Sequence, residues 1–429
     1  MRRRHYNADI ITNTKLTYPE HVSQSGICSL CAMDLVCEIG KRAKTGQTLF
    51  PEPFGFQFGA EKVLPNLEDI QIIPELYGKE VQFVNVKTET KIGGFKVKVP
   101  ISVAAMGSTK AAAAKAISLS EGAAKSGIPL VIGENMIQTH GKEGVKERID
   151  AYLEYYNNYG AIIVQGNPVD IKVGIFEIGK ELGAHGIEIK LGQGAKQGLG
   201  GEIKFTGDAD AEKYRKLGYH IVKNADGTYQ RHTPPGSLIN EDLRDLLIKY
   251  SELEVPIWAK ISVGKGILKL INFLDQVKKE QGIPFECLTL DGFGGGTGMS
   301  PWLIMNETTI PSASVFSSLE KKPDFDILLA GGYNNGIDAA KGLMMGANGI
   351  AMGRAFLIVA SAIEVRDKIK PSDAVVNFVK AITTELQMVC ATQRVNSVTE
   401  LIGRRQNLYA LSEDAELMFG IPRKVKDVL

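Results

Sequence analysis

The chain has 429 residues, 44% of them apolar and 23% charged, which is ordinary globular composition and enough for one large domain with additions. Fifty basic against 49 acidic residues leave a net charge of +1, so nothing in the charge balance points to nucleic acid or to an acidic membrane surface. Apolar runs stop short of the ~18 residues that a spanning helix needs, no apolar leader follows Met1, and an odd count of five cysteines argues against a disulfide framework, so the chain reads as cytoplasmic.

Residues 1–99 read as an irregular N-terminal extension, rich in Pro, Gly and charge. The basic run at 2–5 reads as a solvated tail. Cys28, Cys31 and Cys37 place three thiols within ten residues. Soft thiolates at such spacing select an iron–sulfur cluster or zinc. Three ligands suit a 3Fe–4S cluster, or a 4Fe–4S cluster with an unusual fourth ligand; zinc with His21 as fourth ligand is the alternative. Strand-like runs follow at VQFVNVKTET (81–90) and GFKVKVP (94–100).

From residue 100 the texture changes. Eight short apolar runs appear: ISVAAM (101–106), PLVIG (129–133), AIIVQG (161–166), GIEIKL (186–191), PIWAKIS (256–262), CLTLDG (287–292), DILLAGG (326–332) and GIAMG (349–353). Near-continuous apolar character over four to seven residues marks strands covered on both faces. Amphipathic stretches separate most of them, including AAAAKAISLSEGAAKSG, DIKVGIFEIGKELG and GIDAAKGLMMGA. Eight such units over residues 100–362 predict an α/β fold, a (β/α)8 TIM barrel, in preference to a doubly wound open sheet. An insertion at 203–233 breaks the rhythm between the fourth and fifth strands, and Asp226-Gly227 within it reads as a hairpin turn. Residues 363–429 read as a helical C-terminal tail, with AVVNFVKAITTELQMV its clearest helix.

Barrel chemistry gathers at the C-terminal ends of the strands. The residues there are Met106, Gly107 and Ser108; Glu134; Gln165; Lys190 with Gln193 and Lys196; Lys260; Asp291 with its glycine loop; Gly331-Gly332; and Gly353-Arg354. Lysines at the ends of apolar strands call for a charged or electron-rich partner. Gly331-Gly332 and Gly353-Arg354 follow the seventh and eighth strands, where barrels commonly seat a phosphate. A flavin mononucleotide would use this set: glycines and an arginine for the phosphate, a cation and an amide for the ring edge.

The segments IEIKLGQGAKQGLGG (187–201), PPGSLINEDLRDLL (234–247), TLDGFGGGTGMSP (289–301) and LLAGGYNNGIDAAKGLMMGANGIAMGRAFL (328–357) resemble the FMN-binding synthase domain of glutamate synthase, in content and in order. The resemblance implies an oxidoreductase acting on CH–NH2 donors. Ammonia and 2-oxoglutarate would give glutamate through 2-iminoglutarate, with reduced FMN as hydride donor. It implies that Lys190, Gln193 and Lys196 hold the FMN edge and the substrate carboxylates, with Lys260 at the flavin's pyrimidine edge or the substrate. It places Glu134 on the substrate's nitrogen side and makes Lys190, Glu134 and Lys196 the catalytic set. Met106, Gly107, Ser108, Gln165 and Asp291 would line the flavin. Gly331, Gly332, Gly353 and Arg354 would take its phosphate. The glycine loop, with Gly295 and Gly296, would lie over flavin and substrate.

Three departures from that family widen the reading. The chain opens Met-Arg-Arg in place of a nucleophilic cysteine, so ammonia is expected from solution or from outside the chain, and a partner subunit within an oligomer is expected to supply ammonia or electrons. The family's cysteines after the phosphate loop are missing from ASAIEVRDKIKPSDAV (360–375), and Cys28, Cys31 and Cys37 stand as their replacement. The 203–233 insertion leaves open an N-methylglutamate synthase, another 2-oxo acid or amino acid oxidoreductase, or a non-catalytic electron-transfer subunit.

Overall fold

A computed structural model describes residues 64–194, 197, 202–225, 227–232, 240–293, 295, 307–367 and 369–423. Eight parallel strands close into a barrel: β1 Ile101–Met106, β2 Leu130–Ile132, β3 Ile162–Gly166, β4 Gly186–Lys190, β5 Ile257–Ser262, β6 Phe285–Asp291, β7 Asp326–Ala330 and β8 Gly349–Met352. Each pairs with the next, β8 pairs with β1, and β4 pairs with β5 across the insertion. The fold is the expected (β/α)8 barrel, and the open-sheet alternative falls.

Strand residues alternate between two cores. Ala259, Ile261, Leu288 and Leu290 face outward into the layer shared with the helices. Trp258, Cys287, Ile163, Leu328 and Ala351 face inward. The same inward parity carries Lys260, Thr289, Gln165, Glu188 and Lys190 towards the C-terminal mouth. Helix Lys110–Ser126 shows how local chemistry bounds the outer layer. Thr109 Oγ1 accepts from Ala112 N at its start, and Gly127 takes a left-handed φ of +66° at its end.

The N-terminal end of the barrel is plugged by a hairpin, Thr90–Ile92 with Phe95–Val97. Its Ile92 and Val97 join Trp258 in the inner core. The indole Nε1 donates to Gly93 O at 2.8 Å, and Gly93 N donates to Asp326 Oδ2 at 2.8 Å. The upstream run VQFVNV is not a strand; Phe83–Asn85 forms a single 3-10 turn. With no neighbouring strand, its apolar residues serve contact rather than pairing.

The segment after β3 is two short helices, Pro168–Lys172 and Ile175–Glu181, broken at Gly174. Helix Pro371–Thr392 is long and apolar enough to cross a membrane. In the structure it packs against Lys110–Ser126 and buries Val375, Val379, Ile382, Leu386 and Cys390. Further on, Leu408–Ala410 pairs antiparallel with Ile70–Ile72, so both flanks of the barrel meet.

The insertion is a three-stranded sheet with a helix. Tyr229–His232 lies centrally, between Glu202–Phe205 and His220–Lys223. The expected hairpin is present: Lys223 pairs with Tyr229 and His220 with His232. The third strand was not foreseen.

Trp258 is the test of the plug. Trp258→Ala removes the indole and its bond to Gly93, and is expected to cost about 3–5 kcal/mol, read from the denaturant midpoint.

Candidate active site at the mouth of the barrel

Lys190 ends β4 and Lys260 lies in β5, directly opposite it in the register. The two are neighbours rather than residues on facing strands. Each is 8% exposed. Lys190 Nζ donates to Glu134 Oε1, and Lys260 Nζ lies 3.3 Å from Asp291 Oδ2. Two residues before Lys190, on the same side of β4, Glu188 is buried, accepting from Gln165 Nε2 at 2.5 Å and Thr289 Oγ1 at 3.3 Å. Burial pushes the Glu188 carboxyl up, against the pull of Lys260, Gln165, Thr289 and Lys190. Burial alone would lower the Lys260 ammonium; Asp291, Glu188 and Glu134 together outweigh it and hold it raised. Two cations and three carboxylates therefore share one poorly hydrated mouth.

The ends of β1 and β2 are in close contact. Gly133 N donates to Met106 O at 3.0 Å, and a Cβ on Gly107 would meet Glu134 O at 2.6 Å. Ser108 follows directly. After Glu134 the chain turns through Asn135, whose φ is +64°. Asn135 N donates to both oxygens of Asp170, at 3.0 and 3.1 Å, and Asn167 N donates to Asp170 Oδ2 at 3.1 Å. Asn135 Oδ1 accepts from Asn167 Nδ2 at 3.1 Å and from the Tyr219 hydroxyl at 3.0 Å. A buried polar scaffold thus fixes the backbone that presents Glu134.

Beyond β6, glycine has a partly local cause. A Cβ on Gly292 would lie 2.2 Å from Ser312 N, and one on Gly295 would lie 1.9 Å from Asp291 Oδ1. The chain folds back on itself there too tightly for side chains. Gly331 and Gly332 follow β7 with φ of +95° and +85°, a conformation that favours glycine. Gly353 and Arg354 follow β8, and Arg354 opens the helix Arg354–Asp367. The guanidinium donates to Asn334 Oδ1 at 3.0 Å, and Asn334 Nδ2 returns to Gly332 O at 3.0 Å. Asn334 therefore ties the two loops into one cradle. Glycine backbone, a helix N-terminus and an arginine fit a phosphate.

Residues 68–368 match the family described as the conserved region in glutamate synthase. The chain belongs to that family. It is 24% identical over 266 residues to an archaeal-type glutamate synthase [NADPH] of Dehalococcoides mccartyi, covering 54% of this chain and 50% of that one. It is 23% identical over 398 residues to an archaeal glutamate synthase [NADPH] of Methanocaldococcus jannaschii, covering 83% and 71%. The chain thus spans about half the length of the first relative. Among solved structures, a flavocytochrome b2 with sulfite bound superposes with a TM-score of 0.56 at 19% identity, covering 84% of this chain and 80% of that chain. A mandelate oxidase with a monooxide FMN adduct gives a TM-score of 0.52 at 13% identity, covering 79% and 87%. These likenesses are to the barrel fold.

Of the glutamate-synthase-like set read from the sequence, Glu134, Gln165, Lys190, Lys260 and Asp291 converge on the mouth, and Gly331, Gly332, Gly353 and Arg354 on the cradle. Gln193 is buried just beyond β4. Lys196, Gly296, Cys28, Cys31, Cys37 and His21 lie outside the described residues. Among the described residues no group of three His, Cys, Asp or Glu side chains is placed to hold a metal. Sequence reasoning missed Glu188, Asp170, Asn334 and Tyr219. For Glu188 a signal existed: an acidic residue inside an apolar strand, at the same parity as Lys190.

Asp170 gives a pH test. Burial raises its carboxyl to about 6, Glu134 adds to the rise, and the Asn135 and Asn167 N–H groups oppose it. A carboxyl with a higher pKa folded than unfolded binds more protons in the folded state. Its contribution is therefore fully favourable below the unfolded value and is lost as pH rises from about 4 to about 6. Between those limits the stability of wild type relative to Asp170→Asn is expected to fall by up to about 3 kcal/mol, measured by denaturant unfolding across pH.

Proposed function

We propose that this chain is an FMN-dependent oxidoreductase that reductively aminates 2-oxoglutarate to glutamate. The observation that carries the reading is the pair of buried lysines, Lys190 and Lys260, side by side at the mouth of a barrel whose loops after β7 and β8 form a phosphate-type cradle. The family assignment and the printed names of the relatives support it.

The residues fit the cofactor. Backbone at Gly331, Gly332 and Gly353 and the Arg354 guanidinium would take the FMN phosphate, with Met106, Gly107, Ser108 and Gln165 along the ring. FMN, when bound, would supply the electron pair as hydride. The chain's own part is binding and charge placement. A dianionic keto acid brings its oxo end, with the adjoining carboxylate, to Lys190 and Lys260, which stabilise negative charge on the oxo group. Once Lys190 turns to the substrate, Glu134 accepts a proton from the attacking nitrogen and then stabilises the iminium. The carbonyl oxygen leaves as water. Gln193 and Lys196 are assigned to the carboxylate beside the oxo group, and Gly295 and Gly296 to the loop that covers the substrate.

Electrons and nitrogen come from outside the barrel on this reading. Cys28, Cys31 and Cys37 keep the role inferred from their spacing, an iron–sulfur relay from a partner subunit. Tyr219 of the insertion bonds Asn135, beside Glu134, and so lies on the nitrogen side. That contact favours testing methylamine alongside ammonia, because N-methylglutamate formation is the second reading.

The purified protein, reconstituted with FMN, is expected to show flavin absorption and to turn over 2-oxoglutarate and ammonia with a reduced electron carrier. Lys190→Ala should keep the flavin spectrum and lose at least about 100-fold in kcat. Colourless protein that cannot take up FMN would end the proposal. Separately, Arg354→Ala should weaken FMN binding about 10- to 100-fold, by fluorescence titration, without loss of keto acid affinity.

A further inference from the structure

The insertion between β4 and β5 carries an arginine that the chemistry above does not use. Arg231 lies in the central strand of the three-stranded sheet, Tyr229–His232, and is 0% exposed. Its guanidinium packs 4.6 Å from the Tyr214 ring centroid and 4.5 Å from that of Tyr219. The rings favour a cation but offer no in-plane acceptor. Among the described residues none offers a hydrogen-bond partner to Nε, Nη1 or Nη2. A buried charge is ordinarily paired and hydrogen-bonded, because leaving it bare is strongly unfavourable. Here the planar fork of donors is left open, the shape that takes a carboxylate through two parallel hydrogen bonds.

The position of that fork says which carboxylate. Tyr219, which supports Arg231 on its ring, donates through its hydroxyl to Asn135 Oδ1. Asn135 follows Glu134, the partner of Lys190. Burial pushes the Tyr219 phenol up; Arg231 opposes this, and Asp170 and Glu134 add to it. One aromatic ring thus links the buried cation to the rim.

We propose that Arg231 binds the distal carboxylate of the substrate, making the insertion a selector for 2-oxo dicarboxylic acids over monocarboxylic ones. The inference rests on the proposed function, in which the oxo end of the same molecule meets Lys190 and Lys260. Access requires the insertion to shift from the rim. Its helix Asp208–Lys216 is bracketed by Gly207 and Gly218, whose φ values of +113° and +88° break the chain on either side. The two tyrosine rings already hold the guanidinium plane, so once the insertion has shifted a carboxylate meets an oriented fork.

Calorimetric binding to the FMN-loaded protein tests this, with 2-oxoglutarate and with 2-oxobutyrate, which lacks the distal carboxylate. Arg231→Met is expected to weaken 2-oxoglutarate about 10- to 100-fold and to leave 2-oxobutyrate within about twofold. Arg231→Lys, which keeps charge but not the fork, should fall between. Thermal unfolding without keto acid supplies a control for a merely structural role. The Tm of Arg231→Met should hold or rise, since the bare buried charge is gone. Unchanged 2-oxoglutarate affinity in Arg231→Met, or a Tm lowered by several degrees, overturns the assignment alone. Wild type that binds neither acid overturns it together with the proposed function.

Discussion

Two lysines on neighbouring parallel strands set the terms for everything at the barrel mouth. The register of β4 and β5 places Lys190 beside Lys260. Like charges so near each other, and so little hydrated, repel. The fold answers with carboxylates from separate elements: Glu134 after β2, Glu188 within β4 and Asp291 at the end of β6. Compensation therefore depends on the ring closing in register. A slip of one residue in β5 would turn Lys260 into the helix layer where Ile261 now packs, and Ile261 into the mouth. Barrel closure and site electrostatics are one constraint, not two.

The barrel was legible because its strands are covered on both faces. Runs such as ISVAAM and GIAMG are nearly continuous in apolar character, and their spacing leaves room for one helix each. The strand β1 has the same limits in the sequence and in the structure, Ile101–Met106. VQFVNV misled because apolar, β-branched residues near a core look the same whether or not a neighbouring strand exists to pair with them. The stretch around Gly174 read as one helix, although a glycine with φ of +75° divides it. Both errors concern tertiary context, which local pattern does not carry.

The site was legible to the depth of one shell. Strand ends, cations and paired glycines are visible in a chain read by parity and position, and they led to Lys190, Lys260, Gly331 and Arg354. Their partners are not local. Asn334 is one of many polar loop residues until Arg354 is seen to bond it. Asp170 lies 35 residues from Asn135, whose backbone it holds. Arg231 looked like one charge in a polar hairpin, and only the packed sheet shows it buried between two tyrosines.

That network also determines what kind of ligand can gain from the site. Both lysines already have carboxylates, so an incoming anion must do better than Glu134 and Asp291. A neutral ketone cannot, and it leaves the existing pairs in place. A monoanion can replace one partner but still displaces a carboxylate that then needs its own cation or proton. A molecule with charges at both ends, meeting the lysines with one and Arg231 with the other, adds a hydrogen-bonded pair that no described residue makes with Arg231. Compensated charge at the lysines and uncompensated charge at Arg231 thus act together. The first lowers affinity for anions in general, and the second restores it for those of the right length.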